Sequence, residues 1–163
     1  MSSGRTLKVG TEVTPSNLAK NLLISAAEAL PTNLSTARII ITAGEIKTNT
    51  TASTQTMYAP CVLPPNVTIK KVQIHGNRGT TAGALAFTFY RLTTGGSATN
   101  IATKSSTLTG WQTLSSSAMN ELASSGRRYL TEVKMKGGPG VQGPVHFQFV
   151  NISYVMPSYD RGY

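Results

Sequence analysis

The chain predicts an all-β fold, an antiparallel jelly-roll-like β-sandwich. Three observations carry this. VTIKKVQIHG, ALAFTFYRL, YLTEVKM and VHFQFVNISYV alternate apolar and polar residues at period 2. Clusters of Gly, Pro, Ser and Asn separate these runs. Val, Ile, Phe, Tyr and Thr dominate them, as β-branched and aromatic side chains fit a pleated, half-buried surface. At 163 residues one domain is the default, large enough to bury roughly 70% of its unfolded surface.

The first sixty residues read differently. Thr14-Pro15, then SNLAKNLLISAAEAL, then Pro31 offer one helix over 15–30, with Thr14 as cap and Pro15 in the first turn. Leu18, Leu22, Ala26 and Ala29 or Leu30 recur at helical spacing. Leu22-Leu23-Ile24 widens the apolar face, and the same stretch equally fits an extended arm that packs on a neighbour. ARIIITAGEI reads as a strand, and KTNTTASTQT as a polar strand or loop. The expected organisation is an arm (1–36, extended or partly helical), a sandwich (37–157) and a tail (158–163).

Inside the sandwich two strands change phase. Val67 and Ile69 share one parity while Val72 and Ile74 share the other, so a bulge near Lys70-Lys71 keeps all four inward. Phe147 and Phe149 give way to Val150, Ile152 and Tyr154, which requires another bulge or a strand that changes face. Thr93-Thr94-Gly95-Gly96-Ser97 and Ser124-Ser125-Gly126 are turns.

The charge is uneven: 15 Lys and Arg face 6 Asp and Glu, for a net +9. Residues 60–157 hold nine basic and two acidic side chains. A field of that sign attracts acidic partners, nucleic acid among them. The exposed surface is expected to carry hydroxyls, since Thr numbers 23 and Ser 16. One cysteine, Cys61, excludes an intramolecular disulfide and a Cys-rich metal site, and YAPCVLPP suits a buried, inert thiol. No apolar run reaches membrane-spanning length, and the N-terminus lacks a secretory h-region. The sequons at Asn33, Asn49, Asn66 and Asn151 are read as unglycosylated.

No catalytic, cofactor or metal set emerges. Gly138-Pro-Gly140-Val-Gln-Gly143 matches the dinucleotide glycine pattern, but Pro144 and a strand follow where a helix N-terminus is needed; a long hairpin turn accounts for it. His75 and His146 alternate with apolar neighbours and belong on solvent faces, and the only aspartate, Asp160, lies in the tail. Glu121, in a Ser/Asn-rich loop, and Glu132, on a strand beside Lys134, read as solvated surface charges and not as the facing carboxylate pair that glycoside hydrolysis needs. Trp111, between Leu108 and Leu114, reads as a core plug, with a sugar-stacking platform as the alternative. Candidate partner-binding residues are Lys70, Lys71, Arg78, Arg127, Arg128, Lys134 and Lys136 as a basic patch, Leu18, Leu22 and Leu23 on the arm, and Tyr159 and Tyr163 in the tail.

The order LPPNVTIKKVQIHG, FTFYRL, TGWQTLSSS, YLTEVKM, VHFQFVNISYVMP, over residues 60–157, resembles the small β-sandwich modules of tailed-bacteriophage virion proteins. These include head decoration (cement) proteins and tail-fibre segments. The resemblance implies a non-enzymatic structural protein, trimeric or dimeric, that cements a phage head through contacts with capsid or other virion proteins. Its location would be the virion, after assembly in the host cytoplasm. Two alternatives stay open: a tail-fibre or receptor module that binds glycans, and a basic structural protein that binds nucleic acid.

Overall fold

The computed structural model describes residues 19–31, 39–42, 44–48, 54–138 and 144–157. Two antiparallel sheets face each other across one core. In chain order the strands are β1 (Ala19–Ser25), β2 (Leu30–Pro31), β3 (Ile39–Thr42), β4 (Glu45–Thr48), β5 (Thr54–Cys61) and β6 (Val67–Arg78). They continue as β7 (Ala84–Leu92), β8 (Ala98–Ser105), β9 (Gly110–Ser115), β10 (Glu121–Ala123), β11 (Arg128–Lys136) and β12 (Val145–Val155). Sheet A is centred on β6 and β12. Beyond β6 lie β9 and β10, sharing its free edge, and beyond β12 lie β1 and β4, then β3. Sheet B runs β2-β5-β11-β7-β8.

The alternation drives this arrangement. Ile69, Val72 and Ile74 of β6 and Phe147 and Ile152 of β12 point inward, onto Met57, Leu85, Phe87, Phe89 and Met135 of sheet B; all are fully buried or nearly so. Each such side chain contributes about 1.5–3 kcal/mol of burial. Both phase breaks are register shifts in the β6–β12 pair. Ser153 opposes Lys71 and Tyr154 opposes Ile69, so Lys70 is the extra residue. Phe147 opposes Gly76 and Phe149 opposes His75, so Gln148 is extra. The second bulge leaves Phe147 in the core and turns Phe149 outward.

The helix over 15–30 is not what its described part forms. Ala19–Ser25 pairs with Phe149–Val155 of the same chain, and one 3₁₀ turn, Ala26–Glu28, follows. The capping box is present there: Glu28 Oε2 accepts from the Ser25 N–H at 2.8 Å, and Ser25 Oγ accepts from the Ala27 N–H. That turn carries the chain from sheet A to sheet B, where Leu30–Pro31 pairs with β5. The edge of β12 offers backbone partners and a place for Ile24 in the core, and this outweighs a modest helix propensity. Residues 19–31 therefore bind their own two sheets together instead of projecting as an arm. Leu22 lies half-buried against the core and Leu23 points outward, 63% exposed.

One other reading changes. The segment after Gly138 links β11 of sheet B to β12 of sheet A, so it is a crossover, not a hairpin; Gly140 to Gly143 lie outside the described residues. The Ser124–Arg127 turn also crosses between sheets, with Gly126 at φ 82°, a conformation that favours glycine. Thr93–Ser97 does close a hairpin, between β7 and β8. Among the described residues no helix is long and apolar enough to cross a membrane.

Candidate functional site

The outer face of sheet A gathers rings and amides. In β6, Gln73, His75 and Asn77 alternate with buried Val72, Ile74 and Gly76. Across the ladder Asn77 opposes Trp111 and His146, His75 opposes Thr113 and Phe149, and Gln73 opposes Ser115 and Asn151. Opposed residues share a face, so β9, β6 and β12 place three rings side by side. Phe149 and His75 stack with centroids 5.2 Å apart, and His75 and Trp111 at 5.5 Å. His146 leans on Trp111 at 5.7 Å and 52°. The Phe149–His75 and His75–Trp111 pairs are offset and face to face. Trp111 ends the stack and stays 50% exposed, with no further sheet A strand beyond β9 among the described residues.

Hydrogen bonds hold the stack in place. His75 Nδ1 lies 3.0 Å from Thr113 Oγ1, and His146 Nδ1 lies 3.2 Å from Glu45 Oε1. Gln73 donates to Ser115 Oγ at 2.8 Å and accepts from Asn151 Nδ2 at 3.4 Å. Next to the rings, Asn77 Oδ1 and Asn151 Oδ1 are buried and find no donor among the described residues. A fixed aromatic surface rimmed by amides and hydroxyls can pack the C–H face of a sugar ring and exchange hydrogen bonds with its hydroxyls.

Known structures with this architecture support the fold. The xylan-binding module CBM15 superposes with a TM-score of 0.52 at 12% identity, over 85% of this chain and 100% of that module. The CBM22-2 xylan-binding domain of Paenibacillus barcinonensis Xyn10C gives 0.52 at 10% identity, over 81% and 98%. A family two carbohydrate esterase from Cellvibrio japonicus gives 0.51 at 9% identity; the chain covers 36% of that protein. At such identities the likeness concerns fold alone. This chain is a jelly-roll β-sandwich. No protein family and no curated protein matches it.

Trp111 is thus not a core plug. Leu114 takes the buried position on β9 (6% exposed), while Leu108 is 66% exposed. Both histidines occupy outward faces, in agreement with the alternation. The ring stack escaped the sequence because Phe149 joins His75 only through the Gln148 bulge; the phase break was the available signal.

The basic candidates do not form one patch. β6 and β11 belong to different sheets, so their outward faces look in opposite directions. Lys71 lies half-buried on sheet A, and Lys70 donates to Asn120 Oδ1 at 2.6 Å. Arg78 is buried (7% exposed) and its guanidinium donates to the carbonyls of Thr80, Thr81 and Ser106. It ties loops together and is closed to a partner. Lys134 and Lys136 stand on the outer face of sheet B, with Lys134 Nζ 2.9 Å from Glu132 Oε1. Arg127 and Arg128 lie in and after the β10–β11 turn. Leu18, Tyr159 and Tyr163 lie outside the described residues.

The two carboxylates read as solvated are engaged. Glu121 Oε1 accepts from Arg91 (3.1 Å), Arg127 (3.4 Å) and Tyr129 (2.9 Å), joining sheet A to sheet B. Burial and this carboxylate push the Tyr129 phenol up to about 12. Glu132 is 7% exposed beneath Tyr58 and Lys134. Burial, then the Glu132 charge, raises Tyr58, and the hydrogen bond to Glu132 raises Lys134. Cys61 is buried beside Thr131 Oγ1, and burial pushes its thiol up to about 11, so thiolate is scarce at neutral pH. Among the described residues no group of three His, Cys, Asp or Glu could hold a metal ion.

Proposed function

We propose that this chain is a non-catalytic carbohydrate-binding module that takes a neutral polysaccharide on the outer face of sheet A. The observation that carries the reading is Trp111, half exposed and stacked on His75 within a field of amides. A ring already ordered loses little entropy when a sugar packs on it. The polar rim (Gln73, Thr113, Ser115) supplies donors and acceptors without net charge, which suits hydroxyls better than carboxylates. Two neighbours with this fold are named for xylan binding, which makes xylan the first ligand to try. Glu121, Glu132 and both histidines are engaged within the fold, which supports a binding role over chemistry.

Affinity electrophoresis in gels containing xylan, β-glucan, galactan or mannan tests this. The chain should be retarded by at least one, and Trp111→Ala should abolish the retardation while melting within a few degrees of the parent. No retardation in any gel would sink the reading.

Cementing of a phage head has weaker support. Ala19–Ser25 and Leu30–Pro31 pair with strands of their own chain, and Arg78, Arg127 and Lys134 have partners within the chain. Particles stripped of the protein and equally heat-resistant with and without it would dismiss that role. A nucleic-acid role predicts DNA retention that falls steeply with salt.

A further inference from the structure

On the opposite side of the sandwich, sheet B ends in a cleft of about 470 Å³ lined by Pro60, Val62, Leu63, Leu92, Arg128 and Leu130. Three strands build it. Pro60 opposes Leu130 across β5–β11, and Arg128 opposes Leu92 across β11–β7. These four alternate with inward Cys61 and Tyr129, so they share the outer face. Val62 rises beside them, 85% exposed. A smaller cleft of about 330 Å³, lined by Thr93, Thr94, Gly96 and Gly126, shares Leu92 and Arg128 with it.

The chemistry of this cleft differs from that of the ring stack. Its walls are aliphatic, and the cations of its rim are Arg127 and Arg128. Among the described residues no carboxylate lines it: Glu121, the nearest in sequence, is held by Arg91, Arg127 and Tyr129. Arg128 is exposed and has no side-chain partner among the described residues. A guanidinium above apolar walls matches a carboxylate followed by aliphatic side chains, since the planar fork binds a carboxylate in two places at once. The volume falls in the range of specific ligand clefts, and the net charge of +9 attracts acidic chains.

We infer that the Arg127–Arg128 end of sheet B docks an acidic, aliphatic peptide segment of a partner protein. The site is separate from the ring stack and stands whether or not that face binds glycan. Because the two surfaces belong to opposite sheets, both can be occupied at once, and the chain would link a partner protein to whatever the other face holds.

Amide NMR of the whole ¹⁵N-labelled chain tests the inference, with the peptides acetyl-Asp-Leu-Asp-Leu-amide and acetyl-Lys-Leu-Lys-Leu-amide as probes and sodium glucuronate as a small-anion control. The acidic peptide should shift Val62, Leu92, Gly126, Arg128 and Leu130 and leave Trp111 unmoved. Arg128→Glu should weaken it by roughly tenfold or more, with an otherwise unchanged spectrum, and should admit the basic peptide. Three results would overturn the inference: no localised shifts at millimolar acidic peptide, equal shifts from the basic peptide, or indifference to Arg128→Glu. Equal shifts from glucuronate would also overturn it, marking an anion site instead.

Discussion

Trp111 and His75 stack with centroids 5.5 Å apart and planes 14° from parallel, although they belong to different strands and their sequence neighbours differ. Behind His75 stands Phe149 at 13°, so the exposed indole rests on two further rings. An indole so supported holds one orientation without being buried, and its loss should matter more to a ligand than to the fold. Substituting the support is then informative. His75→Ala should lower glycan affinity several-fold with Trp111 still present, since a stacked pair contributes about 0.5–1.5 kcal/mol. A cycle combining His75→Ala with Trp111→Phe, which keeps a ring and a measurable affinity, read by affinity electrophoresis, should show strong coupling. Independent effects would mean that the stack does not position the indole.

Glu121 joins the sheets through Arg91, Arg127 and Tyr129. Glu121→Ala removes the carboxylate that accepts from two arginines and a phenol. Arg127 and Tyr129 keep the Leu122 carbonyl but Arg91 is left short, so the change should cost about 1–3 kcal/mol. Urea unfolding measures this. Glu121→Gln keeps an acceptor and should cost less.

The Tyr129 phenol, with a pKa of about 12, keeps its proton in the folded chain where an unfolded tyrosine, near 10, has lost it. The folded state binds more protons in that window, so this contribution is whole below about pH 10 and falls as pH rises toward about 12. Cys61, at about 11, acts in the same direction from about pH 9. Stability by urea midpoint should decline on alkaline titration, and Tyr129→Phe, though less stable at neutral pH, should decline less steeply.

Gly76 of β6 sits opposite Phe147 of β12, where the two central strands of sheet A pair. A Cβ there would meet the His146 carbonyl and lie 2.8 Å from Leu85 Cδ2. Backbone cannot yield as a flexible side chain can, so Gly76→Ala should destabilise by about 1–3 kcal/mol or more. Thermal melting reads the loss. Since His75 and His146 flank this contact, glycan affinity should fall with it.

Much of the fold was legible because strand alternation is local. The runs at Val67–Arg78, Ala84–Leu92, Arg128–Lys136 and Val145–Val155 are strands, and both phase breaks coincide with register shifts. The segment before Pro31 was ambiguous because Leu22-Leu23-Ile24 fits a helix face or a strand equally well. Only the free edge of β12 decided for the strand.

The site was less legible. Residue type pointed to Trp111 and the histidines, but whether an indole is buried depends on which parity faces the other sheet. A charge seen in sequence says nothing of its partners either. Arg78 and Arg128 look alike along the chain, yet one is buried among three carbonyls and the other stands over an open cleft.

The residues alone therefore decided a two-sheet β protein with an excess of positive charge and a buried, inert Cys61, because hydrophobic period, composition and local context act over a few neighbours. The folded chain decided which side chains meet. Phe149 reaches His75 through one bulge, Trp111 reaches it from a strand more than thirty residues away, and Glu121 finds Arg91 across the gap between sheets. Pairings of that separation depend on strand order, which no short stretch of sequence encodes. The ring stack that first looked like a choice between core and platform is a surface built by three strands.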